Sequence, residues 1–441
     1  MKNRKYMFLG ALSAVVAVTL IFNATLFAKD VPQESAGKPT VEASRLQALA
    51  KFTKVLSIVE KYNVDNLTIE ELMDKSLKGL MSNLDAHSSY LDSKSFENLK
   101  VQTNGEFGGL GITVGMKDGA LTVIAPIEGT PADKAGMKAG DIILKIDDKS
   151  TLGMGLDDAV NIMRGKKGDP IDLTIVREGE NKPLSFHIIR DIIKIESVYT
   201  KTIDNTILYI RVTSFDKKVV EDVTKAIKKH QADTKGIILD LRNNPGGLLD
   251  QAVGLVDLFV DSGDIVSQKG RDSRENETYS AHADKTITKV PLIVLVNGGS
   301  ASASEIVSGA LQDHKRGVVL GTKTFGKGSV QVILPITDTD AIKLTVARYY
   351  LPSGRTIQAV GVTPDINVLA GQVDTHENNF SLKESDLKQH LESELEKVDG
   401  KKKKGTEHQD DKNIITQEQL TKDIQLKEGT DIIKALIIVK G

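Results

Sequence analysis

The chain has 441 residues, of which 40% are hydrophobic and 27% are charged, so it is too long for a single ordinary core and too apolar for a disordered chain. Its 58 basic and 60 acidic residues nearly balance, which excludes a general electrostatic attraction to nucleic acid or to an anionic membrane. The chain contains no cysteine, which excludes disulfides, a lipidated cysteine and a thiol nucleophile.

Residues 1–28 are predicted to be an export signal. The basic residues Lys2 and Arg4 precede an apolar run over 7–22, and small residues follow the run. Leu26 takes a place where a small side chain is preferred before cleavage, so a permanent anchor in the inner membrane stays open as the alternative. In both cases we expect the rest of the chain to act in the periplasm or another extracytoplasmic space.

The remaining chain divides into five parts by its hydrophobic periodicity and composition. Apolar residues recur at helical spacing over 43–100, which predicts a helical N-terminal domain. Short alternating strands broken by glycine fill 101–190, and strands then alternate with helices over 191–370, which predicts an α/β core. A polar, lysine-rich stretch over 371–412 is typical of a solvated linker, and 413–441 regains helical periodicity. The predicted fold class is therefore α/β and multi-domain.

A cluster of serines follows the predicted buried strand at 291–296. The residues from Ser300 to Ser304 are alternating serine and alanine, and a helical pattern begins directly after them. Small residues let a substrate backbone approach, and the free amides of a helix start can stabilise a developing oxyanion. The cluster is also compatible with nothing more than a tightly packed helix start. A catalytic serine would need a base.

Lys327 is the candidate base, in a glycine-rich segment over 321–331. Burial would disfavour its ammonium form and make the neutral amine available, and Gln331 is placed to hold that amine by a hydrogen bond. The segment also matches the front of a phosphate-binding loop. However, Gly328 replaces the Ser or Thr that would hold magnesium, and the residues after it favour a strand where such a loop needs a helix.

A glycine-rich turn at 240–247 is the third element. It follows a predicted buried strand, and glycine amides at Gly246 and Gly247 would let a substrate carbonyl approach closely. The alternative is a plain strand-to-helix turn in which Asp240 pairs with Arg242.

Together these three segments resemble the carboxy-terminal processing peptidases, also called tail-specific proteases, a family of serine peptidases. The resemblance extends over about residues 45 to 370. It implies that Ser302 is the nucleophile, that Lys327 is the general base and that Gln331 orients it. It also implies oxyanion donors from the amide of Ala303 and from one glycine of the 246–247 pair.

Family members also have an N-terminal segment similar to Leu84–Tyr90 of this chain and a PDZ domain before the core, which the resemblance places at 101–190. We expect the helix over 156–163 to form one wall of its groove. Arg164, at the end of that helix, is a candidate regulatory contact between the module and the core, and the alternative is a solvated arginine at a helix end. The residues expected to bind a peptide terminus are Gly108, Gly109, Leu110, Gly111 and Ile112.

The predicted function is an exported serine endopeptidase that binds C-terminal tails of proteins through its PDZ domain and cuts them through an acyl-enzyme. It needs neither a metal nor a nucleotide cofactor, and nucleic acid is not an expected partner. Self-association through the helical ends is a further expectation. The alternative function is a non-catalytic PDZ scaffold with a degenerate peptidase core.

Overall fold

The computed structural model of the protein describes residues 41–373 and 413–440. The predicted signal or anchor at 1–28 lies outside the described residues, as does most of the predicted linker. The chain divides into two compact units, one up to Leu77 and one from Lys78 onward. Within the described ranges, none of the helices combines the length and apolar character that crossing a bilayer requires.

The smaller unit is helical where it is described. Helix α1 (Val41–Tyr62) is followed by α2 (Ile69–Ser82), which continues into the larger unit. Thr68 and Glu71 cap the start of α2 reciprocally, because the Thr68 amide donates to Glu71 Oε2 at 2.8 Å and the Glu71 amide donates to Thr68 Oγ1 at 3.2 Å. This capping fixes where α2 begins.

The first strand of the larger unit is short and was not predicted from the sequence. Strand β1 (Ser89–Leu91) follows the loop after α2 and pairs antiparallel with residues 341–343 of the core. Helix α3 (Ser93–Asn104) comes next, capped by the Asp92 carboxylate and ended by Gly105 in the left-handed conformation. The strand forms because a neighbouring strand supplies its hydrogen bonds, which local periodicity does not reveal.

A β-rich module follows α3. Its sheet has the order β3-β4-β5-β7-β8 with β6 beside β5, while β2 and β9 pair with each other separately. Strand β3 therefore lies at an edge of the sheet, next to helix α5. The elements are β2 (Glu106–Gly109), β3 (Ile112–Lys117), β4 (Ala120–Pro126), α4 (Pro131–Lys134), β5 (Ile142–Ile146), β6 (Lys149–Ser150), α5 (Leu156–Met163), β7 (Pro170–Val176), β8 (Leu184–Ile189) and β9 (Asp191–Lys194).

The predicted α/β core alternates strands and helices, as expected. One sheet has the order β10-β11-β12-β15-β16-β19 and is parallel except at β10. The elements are β10 (Val198–Ile203), β11 (Ile207–Val212), α6 (Val219–Lys229), β12 (Gly236–Asp240), α7 (Leu249–Asp257), β13 (Asp264–Gly270), a 3-10 turn (Ser273–Glu275), β14 (Glu277–Ser280), β15 (Leu292–Val296), α8 (Ala303–Asp313), β16 (Val318–Gly321), β17 (Ser329–Pro335), β18 (Ala341–Tyr350) and β19 (Ile366–Asn367).

The parallel sheet is covered on both faces. Side chains alternate along β12, so that Ile237 and Leu239 pack toward α6, α7 and α8 while Ile238 faces the opposite side. That opposite side is covered by the C-terminal helices α9 (Gln417–Thr421) and α10 (Ile424–Lys440). Burial on both faces explains why these strands are continuous apolar runs. The predicted α/β fold class is confirmed.

A second sheet, antiparallel, has the order β1-β18-β13-β14, with β17 also paired to β18. Lys327 lies two residues before the start of β17, so the glycine-rich segment leads into a strand. A phosphate-binding loop would lead into a helix, and the structure therefore disfavours that alternative.

Candidate active site

Ser302 lies in the sharp turn between β15 and α8. Its backbone has φ of 55° and ψ of −112°, a conformation that residues with a side chain rarely adopt. Such strain persists only where the surroundings hold it, and strand-to-helix turns of this kind expose a nucleophile at a helix start. The turn thus places the Ser302 hydroxyl at the amino end of α8, where partial positive charge favours a developing anion.

Glu305, fully buried in the first turn of α8, connects the two halves of the predicted dyad. Its Oε2 accepts hydrogen bonds from the backbone amides of both Ser302 and Lys327, each at 2.8 Å. Its Oε1 accepts from Thr324 Oγ1 at 2.6 Å and from the Gly326 amide at 2.7 Å. Because one oxygen serves both amides, the carboxylate holds the backbones of residues 302 and 327 beside each other.

Sequence reasoning did not single out Glu305, although a signal for it exists. Ser302 and Glu305 stand at the spacing of a capping box, in which a carboxylate at the third helical position accepts from the backbone amide of the capping residue. That pattern predicts the bond to Ser302. The bonds to the segment around Lys327 depend on tertiary structure.

Lys327 is half-buried, and its electrostatics match the expectation for a base. Burial lowers the pKa of Lys327 below its ordinary value of 10.5, and the nearby ammonium of Lys343 lowers it further, while Glu305 acts in the opposite direction. In the described part of the chain, no hydrogen bond joins the Lys327 amine to the Ser302 hydroxyl or to Gln331. Catalytic hydrogen bonds are often formed fully only when substrate is bound.

Gln331 lies on β17, with its amide nitrogen directed into the second sheet. That nitrogen donates to Ser329 Oγ at 2.8 Å and to Thr345 Oγ1 at 3.2 Å. Both of its N–H groups therefore have acceptors, and the carbonyl oxygen is the part of the side chain left to accept a hydrogen bond.

The turn after β12 is bonded to the turn that carries Ser302. Asn244 is buried, and its backbone oxygen accepts from the Ala301 amide at 3.0 Å and from Ser304 Oγ at 2.9 Å. Gly246 has φ of 102°, and a Cβ there would lie 2.9 Å from Ser302 Cβ and 3.0 Å from the Ala303 nitrogen. The glycine is required because the two turns touch at this point.

The two candidate glycines differ in their hydrogen bonds. The Gly246 amide donates to Asn244 Oδ1 at 2.9 Å, so it is already engaged. Gly247 forms a parallel bridge with Phe215. The hydrogen bonds of this bridge come from its two neighbours, because the Gly246 carbonyl accepts from the Phe215 amide and the Leu248 amide donates to the Phe215 carbonyl. The amide of Gly247 itself points away from Phe215 and has no acceptor among the described residues.

Asp240 and Arg242 form the ion pair that was the plain alternative for this turn. The Arg242 guanidinium donates to Asp240 Oδ2 at 2.6 Å and to Asp423 Oδ2 at 2.8 Å. Both carboxylates hold the pKa of Arg242 above its ordinary value against the cost of its burial. The ion pair and the close contact of Gly246 with Ser302 coexist, so the two interpretations of the turn do not exclude each other.

The predicted peptide-binding residues are distributed over three local structures. Gly108 and Gly109 lie on β2, opposite Ile192 and Asp191 of β9. Leu110 and Gly111 form the turn before β3, and Ile112 begins that edge strand. The carbonyls of Leu110 and Gly111 accept from the Ala132 and Ile127 amides, while their own amides donate to no backbone group within the described ranges.

Arg164 ends helix α5 and faces α3. Its Nη1 donates to Asn98 Oδ1 at 2.7 Å, and its guanidinium lies 5.3 Å from the centre of the Phe107 ring. The Nε of Arg164 is buried and has no hydrogen-bond partner among the residues that the structure describes. α3 in turn contacts the core, since the Lys217 amide donates to the Thr103 carbonyl at 3.1 Å.

Comparison with known proteins gives consistent results. Residues 206–368 match peptidase family S41, and residues 122–177 match the PDZ domain. The chain is 41% identical over 402 residues to a carboxy-terminal-processing protease of Bartonella bacilliformis, covering 90% of each chain. It is 35% identical to the carboxy-terminal processing protease CtpA of Bacillus subtilis, over 83% of this chain and 77% of that one. A solved photosystem II D1 C-terminal processing protease aligns with 28% identity and a TM-score of 0.42, over 72% of this chain and 92% of that one.

The core, its serine turn and the module before it thus define a PDZ-containing serine peptidase. The chain belongs to the carboxy-terminal processing proteases of peptidase family S41. The family resemblance inferred from the three sequence motifs is confirmed.

Proposed function

We propose that the protein is an exported endopeptidase that hydrolyses peptide bonds with Ser302 as nucleophile and Lys327 as general base. The neutral amine of Lys327 takes the hydroxyl proton of Ser302, the Ser302 oxygen adds to the scissile carbonyl, and the same proton goes to the leaving amine. Water then hydrolyses the acyl-enzyme. The observation that carries this proposal is the Glu305 oxygen that accepts from the amides of both residues, each at 2.8 Å.

The oxyanion hole in this proposal consists of two backbone amides. Ala303 is the first residue of α8, so its amide has no acceptor within the helix. Gly247 is the better partner of the glycine pair, because the Gly246 amide already donates to Asn244 Oδ1. Removing one such donor costs roughly 100- to 1,000-fold in kcat in other serine peptidases.

The test of the dyad uses three variants of the full chain. Ser302→Ala and Lys327→Ala should abolish cleavage of an unfolded protein substrate, and Lys327→Arg should do the same because a guanidinium does not deprotonate. Lys323→Ala is the matched control, since Lys323 is an exposed lysine of the same segment. A fluorophosphonate probe followed by peptide mass spectrometry should locate the label on Ser302. Turnover by purified Lys327→Ala at the wild-type rate would remove the lysine from the mechanism.

Substrate selection by the PDZ module is the second part of the proposal. A substrate tail would add to the free edge of β3 beside α5, with its carboxylate at the amides of Leu110 and Gly111. Charge-assisted hydrogen bonds contribute about 1.5 to 3 kcal/mol, so replacing the terminal carboxylate by an amide should raise KM about 10- to 100-fold. The comparison needs two peptides that differ only in that terminal group, with a peptide lacking the tail as control. Equal KM values for all three would exclude tail recognition at this edge.

The same proposal includes regulation of the peptidase activity through Arg164, because its contacts connect the PDZ module to the core. Arg164 contacts α3 at Asn98, and α3 contacts the core at Lys217, so movement of the module on binding a tail would reach the core through α3.

Export by residues 1–28 is proposed on the sequence pattern. Self-association is proposed through α1, whose apolar side chains Leu49 and Phe52 are exposed.

A further inference from the structure

The turn after α2 contacts Thr345 of the second sheet through two residues, Asp85 and Ser88, since the Ser88 hydroxyl accepts from the Thr345 amide at 3.1 Å and lies 3.4 Å from Thr345 Oγ1. Asp85 Oδ1 accepts from the backbone amides of His87 at 2.8 Å and Ser88 at 3.0 Å, and Oδ2 accepts from Ser88 Oγ at 2.5 Å. Asp85 Oδ1 also accepts from Thr345 Oγ1 on β18 at 3.0 Å. These donors, the Ser88 hydroxyl first among them, lower the pKa of Asp85 to about 2, so the group is ionised at neutral pH.

The same threonine joins Asp85 to Gln331. Thr345 Oγ1 accepts from Gln331 Nε2 at 3.2 Å, and the same nitrogen donates to Ser329 Oγ at 2.8 Å. A hydrogen-bonded chain therefore runs from a carboxylate through a hydroxyl to the side chain that stands four residues after Lys327.

The chemistry of the three groups fixes the direction of every bond in this chain. An ionised carboxylate only accepts, so the single proton of the Thr345 hydroxyl points to Asp85. The Thr345 oxygen then faces Gln331 with a lone pair, which only the amide nitrogen can satisfy. The carbonyl oxygen of Gln331 must therefore take the other position.

We propose that Asp85 is a positioning residue that acts through Thr345 to make Gln331 present its carbonyl oxygen, and not its amide nitrogen, to the amine of Lys327. The proposal rests on the proposed roles of Lys327 and Gln331. A carbonyl oxygen accepts an N–H of the amine and leaves the nitrogen lone pair free for the proton of Ser302. A reversed amide would donate into that lone pair and block the base.

A pair of substitutions at Thr345 tests this proposal. Thr345→Val keeps the shape of the side chain and its preference for a strand but removes the hydroxyl, whereas Thr345→Ser keeps the hydroxyl. We expect Thr345→Val to lower kcat about 10- to 100-fold with little change in KM, because the base is misoriented and substrate binding is not affected. Thr345→Ser should restore most of kcat. Thr278→Val, on β14 of the same sheet and exposed, is the matched control.

The pH profile separates loss of orientation from general loosening of the site. A carbonyl oxygen beside the amine stabilises the ammonium form, so losing it should move the ascending limb of kcat/KM to lower pH. Loosening would admit water to Lys327 and move the limb to higher pH. The other titratable groups near the amine are His87, Lys343 and Glu305, and they are unchanged in the variants. A limb that moves upward in Thr345→Val would overturn the proposal.

A double-mutant cycle tests whether Asp85 acts through Thr345. Asp85→Ala should lower kcat in the wild-type background and have little further effect in the Thr345→Val background, because the two residues form one chain. Additive effects would show independent roles and overturn the proposal. Ser329→Ala removes the other acceptor of Gln331 Nε2 and should also lower kcat. This variant tests the proposal if Thr345→Val fails to fold. If folded Thr345→Val keeps the wild-type kcat and pH profile while Lys327→Ala is inactive, the positioning role is refuted and the dyad is not. Activity in Lys327→Ala would instead refute the dyad itself.

Discussion

At the scale of single residues, the environment of Lys327 decides whether its amine can act as a base. Burial and the neighbouring Lys343 both disfavour the ammonium form, and Glu305 partly opposes them. The carboxylate that opposes deprotonation is also the group that aligns the two backbones. For the proposed role of Lys327 as base, burial and a second cation offset the effect of a carboxylate placed close to an amine that must be neutral.

This balance predicts the pH dependence of the enzyme. In the proposed mechanism only neutral Lys327 accepts the proton of Ser302, so kcat/KM should rise with pH, with a midpoint below 10.5 because the folded-state pKa is lowered. Lys343→Ala removes a repelling charge, so the pKa of Lys327 should rise, the midpoint should move to higher pH, and activity at pH 7 should fall. Lys269→Ala, an exposed lysine on β13 of the same sheet, is the control. A midpoint that stays in place or moves down in Lys343→Ala contradicts the electrostatic account.

At the scale of elements, two turns that follow neighbouring strands form the site together. The carboxyl ends of β12 and β15 lie side by side because the strands pair in parallel. The turn after β12 carries the glycines, and the turn after β15 carries Ser302, the proposed nucleophile. Contact between the turns is close enough that a methyl group at residue 246 would meet Ser302 and Ala303.

Gly246→Ala should therefore impair catalysis more than an ordinary glycine substitution does. The new Cβ would lie 2.9 Å from Ser302 Cβ, so the nucleophile must shift, and labelling of Ser302 by a fluorophosphonate should slow about 10- to 100-fold. Gly354→Ala is the control, because Gly354 has φ of 81° with no atom within 4 Å of the added Cβ. Gly354→Ala should lower the unfolding free energy by about 1 to 2 kcal/mol, because alanine is disfavoured at a positive φ, and it should leave the labelling rate of Ser302 unchanged. Equal labelling rates for the two variants would show that the turns have more freedom than the contact distances allow.

At the scale of the whole molecule, the C-terminal helices complete the core. α10 packs on the face of the parallel sheet opposite α8, with Leu426 and Ile433 buried against β12 and β15. Asp423 at the start of this region pairs with Arg242, which lies in the glycine-rich turn after β12. The C-terminal segment thus stabilises both the sheet and the turn that forms part of the site.

The contribution of α10 to stability is measured best with two isoleucines of that helix. Ile433 is fully buried, and Ile433→Ala should lower the unfolding free energy by about 2 to 5 kcal/mol, measured by urea denaturation. Ile438 is 79% exposed, so Ile438→Ala should change it by no more than about 0.5 kcal/mol. A small effect at Ile433 would mean that the helix is only loosely docked.

The sequence by itself determined the family, the fold class and the order of the main elements. The continuous apolar runs at 236–241 and 291–296 predicted buried strands of an α/β core, and the predicted helix over 156–163 coincides with α5. These features depend on local periodicity and on glycine and serine patterns, which are visible within a few residues of chain. The dyad residues themselves remain a prediction, because the Ser302 hydroxyl and the Lys327 amine share no hydrogen bond within the described ranges.

Only the tertiary structure decided which groups meet. Strand β1 forms because β18 offers it a partner, Glu305 reaches Lys327 because α8 and the segment before β17 pack together, and Asp85 reaches Gln331 across 246 residues of chain through Thr345. The Gly246 amide likewise donates to a side chain, Asn244, two residues before it, and for this reason Gly247 is the proposed oxyanion donor of the pair. Hydrogen bonds between distant segments leave no periodic trace in the sequence, so a sequence reveals the kinds of residue that a site uses and the fold determines the partners of each one.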